Sequence, residues 1–214
     1  MTVRSALRSA LVDTYHFSWR LLVVNTALSA AVALVALFVS TFPLVLFVAP
    51  LVAGPIAAAL AHCVVTLIRE QEFRLSDAVA GIRRFWKRGL ILGGIFGLVL
   101  LLGTLAVAFY SSEPHRVLPL AVLAVYVVAV AALIVLVAWL FAIADPEEGV
   151  DDALRRAFLL ALRSPMRMLV FGTALLLVNL VGAVTVLPLL TMTIAYSFLA
   201  TARLVLPPPE EVPV

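Results

Sequence analysis

The chain is nearly without cysteine and nearly without lysine. Cys63 is its one cysteine, so no intrachain disulfide framework exists. It lies inside an apolar run, where a lone thiol reads as a small buried hydrophobe. Of the fifteen basic residues only Lys87 is lysine. Charge of either sign is scarce, 13% of residues against roughly 25% in a soluble domain. No charged residue falls deep inside a long apolar run, which argues against a proton-coupled pump. The three histidines, His16, His62 and His115, fall far apart, and His62 and Cys63 point to different faces of one helix, so no metal site is expected. There is no nucleophile–base–acid set and no glycine-rich phosphate loop. These absences exclude a recognisable catalytic centre, so the chain is read as no enzyme, and no cofactor is called for.

What is abundant is apolar sequence. Hydrophobic residues make up 64% of the 214, with mean hydropathy +1.18, where a soluble domain has roughly 45–50%. A soluble fold of this size could not hide that much apolar surface, so the lipid bilayer is the expected solvent and first partner. About 20 residues at 1.5 Å each cross a hydrocarbon core of about 30 Å. Runs of that kind fall at 21–42, 44–68, 89–111, 117–144, 168–187 and 189–206. The expectation is therefore all-α: a polytopic membrane helix bundle, one domain over 1–206, with six transmembrane helices as three hairpins. Pro43 and Pro188 mark turns, and the proline-rich tail 207–214 is expected to be disordered. About twenty mixed residues precede the first run, unlike a secretory signal, so that first span is expected to be retained.

Three polar segments orient these runs. Residues 2–20 read as an amphipathic surface helix with Val3, Leu7, Leu11, Tyr15 and Trp19 on one face. Arg69–Arg88 is the organising loop. In it Leu75, Val79, Ile82 and Trp86 share a helical face, Arg83, Arg84, Lys87 and Arg88 lie on or near the other, and Ser76 or Asp77 is placed to cap. That helix is expected on the inner leaflet or against a partner. Asp145–Arg167 places five carboxylates before four arginines, which suits a helix dipole, with Asp151 or Asp152 as cap. The carboxylates lack the spacing of a calcium loop. With the N-terminus inside, fourteen of the fifteen basic residues are cytoplasmic and only Arg116 is outside, as the positive-inside rule requires. The chain then reads as a multi-pass plasma-membrane protein with both termini cytoplasmic. The same bias explains the net charge of +3 and the pI near 9.5 without nucleic acid. A shift of 75 residues aligns Leu75–Val79 with Val150–Leu154 and Arg88 with Arg163. Each motif opens an amphipathic helix followed by a hairpin, and the N-terminal helix and first hairpin form a looser third copy.

Within the spans, Pro50, Gly54 and Pro55 predict a kinked or partly unwound stretch facing the bundle. Gly89, Gly93 and Gly97 recur every fourth residue and would let another helix approach closely. Asn25 and His62 reach similar depth from Arg20 and Arg69, so they are candidates for an intramembrane polar contact, or for the lining of a small cavity.

The segment Ala49–Glu72, APLVAGPIAAALAHCVVTLIREQE, resembles the YesL-like family of bacterial membrane proteins of unknown function. Pro50, Gly54, Ala58, Ala59 and Arg69–Glu70 look like that family's positions. So do the aromatic-basic cluster Phe85–Trp86–Lys87–Arg88 and the second loop, DDALRRAFLLALRSPMRML. The family's threonine before the glycine is Ala53 here. The resemblance implies six spans, no established activity, and an association with carbohydrate ABC transporters. The expected role is then an accessory membrane protein that docks on a permease or ATPase subunit. Its candidate docking residues are Arg83, Arg84, Trp86, Lys87, Arg88, Arg155, Arg156 and Arg163. The alternative is a small self-contained transporter or channel.

Overall fold

A computed structural model describes residues 2–16, 18–39, 45–72, 74–111, 118–185 and 192–206. It contains helices α1 (Val3–His16), α2 (Ser18–Val39), α3 (Val45–Glu70), α4 (Leu75–Ser111), α5 (Leu118–Ala144), α6 (Val150–Arg163), α7 (Pro165–Thr185) and α8 (Ile194–Val205). No strand occurs among the described residues. Four helices there are long and apolar enough to cross a bilayer, within Val52–Glu70, Leu75–Tyr110, Pro119–Ala144 and Pro165–Gly182. The turn at Pro43, the loop at 112–116, the break at Pro188 and the tail at 207–214 lie outside the described residues.

The core sits where α3, α5 and α8 meet. α3 packs against α2, α4, α5 and α8, and α8 packs against α1, α2, α3 and α5. The contact surfaces are built from small side chains: Ala57, Ala58, Ala59 and Ala61 on α3, and Ala195, Ala200 and Ala202 on α8 are all buried. Lipid gives no hydrophobic drive for helix association, so close approach through small residues must supply the packing. The larger buried groups cluster towards one end of the bundle, among them Phe171, Leu140, Leu60 and Leu67. The opposite ends of α4 and α5 leave Leu102, Leu105, Phe109, Leu123 and Val127 exposed, a surface suited to hydrocarbon.

Three expectations change here. First, 75–88 is not a separate helix lying on a leaflet. It is the start of α4, one unbroken helix of 37 residues, about 55 Å long at 1.5 Å per residue. Nothing between Leu75 and Gly89 breaks the helix, and Gly89 is held by packing. A hydrocarbon core of about 30 Å leaves about 25 Å of this rod as a polar extension. Second, of the two alternatives of a kink or an unwound turn, the unwound one does not occur: α3 stays helical through Pro50, Gly54 and Pro55. Proline removes only one donor per site, and the turns on either side hold the helix. Third, α1 is docked on the bundle by a second face, and the bulky stripe is split, with Val3 and Leu7 packed against the core. Ala6, Ala10 and Thr14 are buried, while Leu11 and Tyr15 stay exposed. The small stripe lets α1 press against α8, leaving Leu11, Val12 and Tyr15 outward.

Local chemistry sets the helix ends. Gln71, with φ 59°, is the described non-glycine residue in the left-handed region. It closes α3, its N–H donating to Leu67 O at 3.0 Å. At the start of α4, Asp77 is the cap partner: its Oδ2 accepts from the Arg74 N–H at 2.6 Å, the return half of a capping box. The corresponding expectation for α6 is not met. Gly149 holds the N-cap position with no side-chain cap bond, and Asp151 and Asp152 fall in the first turn. There they still favour the helix through its dipole.

Candidate functional site

The polar end of the bundle gathers α1, the start of α4, the end of α5, α6 and the end of α8. Arg203 of α8 ties α1 in place. Its Nε and Nη2 each lie 2.8 Å from Asp13 Oδ2, with both side chains largely buried. Tyr196 Oη also donates to Leu7 O at 3.2 Å. The small stripe Ala6–Ala10–Thr14, spaced by four, was the sequence signal for this docking.

Arg88 joins α4 to the end of α5. Its guanidinium donates to Ala142 O, to Asp145 O at 3.2 Å and to Pro146 O at 2.5 Å. The last carbonyls of a helix have no partner within it and carry the negative end of the dipole. A guanidinium there satisfies several at once. The Arg88 side chain also lies against the buried ring of Phe85, 5.8 Å from its centroid. Of the eight docking candidates, Arg88 is therefore committed inside the chain.

The others on α4 face out. Arg83, Arg84 and Lys87 are exposed. Trp86 is 46% exposed and Val79 52%, and Ile82 is exposed beside them. Lys87 Nζ lies 5.7 Å from the Trp86 ring and the Arg84 guanidinium 5.4 Å from Phe85, which holds the charges along the rod. The inner face of the same stretch is Gly81 and Phe85. Gly81 fits because a Cβ there would come within 3.0 Å of His62 Cβ and 3.1 Å of Ala59 Cα.

Arg155, Arg156 and Arg163 lie on α6 and open on one cleft of about 420 Å³. Phe141 of α5, Arg167 and Met168 of α7, and Leu204 and Val205 of α8 complete its walls. Arg156 is fixed in place: its Nη1 donates to Glu148 Oε2 at 3.2 Å, and its guanidinium sits 4.3 Å from the Phe141 ring centroid. Asp152 is the carboxylate on the rim. The sequence shows these arginines on one helix but not that Arg167 and the end of α8 close a cleft with them.

The expected pairing of Asn25 with His62 does not form. Asn25 is fully buried, and its Oδ1 accepts from Ala195 N at 2.8 Å. Its Nδ2 also donates to Ser29 Oγ at 3.4 Å. It therefore serves a first-turn amide of α8, whose own N-cap side chain makes no cap bond. His62 packs on Phe85 instead, ring centroids 5.4 Å apart. Equal depth did not put the two on facing surfaces. Replacing Asn25 with leucine should leave the Ala195 amide unpaired and cost about 1–2 kcal/mol. Denaturant unfolding of the detergent-solubilised protein measures it, and an unchanged midpoint would remove this contact from the account.

The glycines and Pro55 act as a contact. A Cβ on Gly89 would come within 2.8 Å of Gly54 O and 2.9 Å of Pro55 Cα. One on Gly54 would strike Gly89 O and lie 3.3 Å from Gly93 Cα. Backbone therefore meets backbone here. Gly97 is only half-buried. Above this crossing lies an apolar cavity of about 410 Å³, lined by Gly54, Gly93, Phe96, Trp139, Asn179 and Ser197 among others. Asn179 Nδ2 donates to Ser197 Oγ at 2.8 Å within its wall. Pro50 lies within α3 by its backbone. Among the described residues no group of His, Cys, Asp and Glu could hold a metal ion. Compared with known protein families, curated proteins and solved structures, the chain finds no match in any of the three.

Proposed function

We propose that this protein is a six-span accessory membrane protein that docks a partner on its cytoplasmic side. α2, the long helices α3, α4, α5 and α7, and the segment ending in α8 would be the crossings, arranged as three hairpins with both termini inside. α1, the first 14 residues of α4 and α6 would be the leading helices of three related units; α1 and α6 are themselves 14 residues each. The observation that carries docking is the exposed face of the α4 extension. Val79, Ile82 and Trp86 are uncovered beside Arg83, Arg84 and Lys87, a mix of aromatic anchor, apolar surface and positive charge of the kind that interfaces use. Sequence resemblance to the YesL-like family makes a permease or ATPase subunit of a carbohydrate ABC transporter the partner to look for.

A photo-activatable residue at Ile82 or Trp86 in native membranes, read by mass spectrometry, tests this. Recurrent adducts with one permease or ATPase are expected, and charge reversal at Arg83, Arg84 and Lys87 should reduce them at least tenfold. Self-adducts alone would sink docking.

The apolar cavity favours a second reading, a small transporter or channel. Trp139 Nε1 is buried beside it without a hydrogen-bond partner among the described residues. A solute with an acceptor oxygen would satisfy that donor. Reconstituted vesicles should then pass a solute with a rate that Trp139→Phe changes. His62 lies away from this cavity, against Phe85, and His62→Ala should leave the flux alone.

A further inference from the structure

We propose that the arginine cleft between α6, α7 and α8 binds the phosphate of an anionic phospholipid. Arg155, Arg156, Arg163 and Arg167 line it, against the one carboxylate of Asp152. Guanidinium groups take phosphate oxygens in pairs, through a planar fork that an ammonium lacks. Arg156 is already fixed by Glu148 and Phe141. Among the described residues, Arg155 and Arg163 make no ion pair or hydrogen bond through their guanidinium groups. The site is thus partly preorganised and still has donors to give.

Position decides between a lipid and a free anion. The cleft lies where α5 ends, α7 begins and α8 ends, so it opens at the boundary between the apolar spans and water. Basic pockets between helices at that level are where lipid headgroups sit. An apolar track leads away from it. Leu159 lines the cleft and is exposed, as are Phe158 and Leu162 of α6 and Met166 in the first turn of α7, the last two 61% and 74% exposed. Leu169 and Val170 extend the track along α7. A phosphate among the arginines would place its acyl chains along these side chains. A soluble anion would have no use for that surface.

The test uses the full-length protein in a neutral detergent, with bound lipid counted by native mass spectrometry. Phosphatidylglycerol should be retained and phosphatidylcholine should not. The Arg155→Gln/Arg163→Gln variant, which removes no ion pair or hydrogen bond among the described residues, should bind phosphatidylglycerol about 30-fold more weakly, about fivefold per arginine near an anionic surface. An Arg83→Gln/Lys87→Gln variant should change it by no more than about twofold, since its charges lie outside the cleft. Equal losses in the two variants, equal retention of both lipids, or displacement by inorganic phosphate at equal concentration would each overturn the lipid assignment. Cross-links from Trp86 report partner docking separately, so failure of one claim leaves the other legible.

Discussion

Replacing Gly54 with leucine is expected to lower the unfolding free energy by about 3 kcal/mol or more, at the upper end of overpacking costs. The reason is what the new side chain meets. A single Cβ at Gly54 already strikes the Gly89 carbonyl oxygen, and Gly93 Cα is 3.3 Å away. These are backbone atoms of a continuous helix, so no rotamer change relieves the clash. α3 and α4 must separate, and the separation would open the packing of Ala57 and Ala58 behind them, both buried. Gly94 is the control. A Cβ there meets nothing within 4 Å, so Gly94→Ala should be neutral or slightly stabilising through helix propensity. Unfolding midpoints in detergent compare the two, and equal effects would mean that the close crossing does not exist.

Arg88→Met should cost about 3 kcal/mol, the scale of losing charge-assisted hydrogen bonds at a helix C-terminus. Methionine keeps the apolar stem against Phe85 but leaves the carbonyls of Ala142, Asp145 and Pro146 without this donor. Arg83→Met, five residues earlier on the same helix and exposed, should stay within about 0.5 kcal/mol. Arg88→Lys should recover part of the loss, since an ammonium retains the charge but not the fork. If Arg88→Met melts with the wild type yet loses the partner, Arg88 belongs to the docking surface after all.

The sequence made these two sites legible to different degrees. Small residues every fourth position marked Gly89 and Gly93 as a close-packing surface, and Gly54 stood in α3, the helix that precedes α4. The partner was not readable, because spacing fixes a face and not what covers it. Arg88 looked like its neighbours Arg84 and Lys87 for the same reason. Only the meeting of α4 with the end of α5 separates a capping arginine from exposed ones.

The amphipathic patterns named the bulky faces but not the faces that pack. For α1 and the start of α4, the bulky stripes Val3–Leu7–Leu11–Tyr15 and Leu75–Val79–Ile82–Trp86 were expected to face the membrane surface or, for α4, a partner, and Leu11, Tyr15, Val79, Ile82 and Trp86 are exposed as that expectation requires. In both helices the packed face is the neighbouring one of small residues, Ala6–Ala10–Thr14 and Gly81, with Phe85. Close helix contact favours small groups where lipid solvates large ones, so size, rather than hydrophobicity alone, predicts what packs. The length of α4 was likewise written in the sequence as the lack of any breaker between Leu75 and Gly89, which the polarity of the stretch obscured. The all-helical class and the long apolar helices were the readable part, since they follow from run length alone.

The most direct test of the proposed architecture is cysteine labelling of whole cells with a membrane-impermeant maleimide. The background is Cys63→Ala, which removes the only native thiol. Single cysteines replace Arg8, Arg83 and Arg155 in the three leading helices, and Glu113 in the proposed outer loop. Labelling of Glu113→Cys in intact cells, with the other three labelled only after permeabilisation, is the predicted result. Labelling of Arg83→Cys or Arg155→Cys in intact cells would put the exposed helix faces on the wrong side of the membrane, and both the cytoplasmic docking surface and the three-hairpin arrangement would fall.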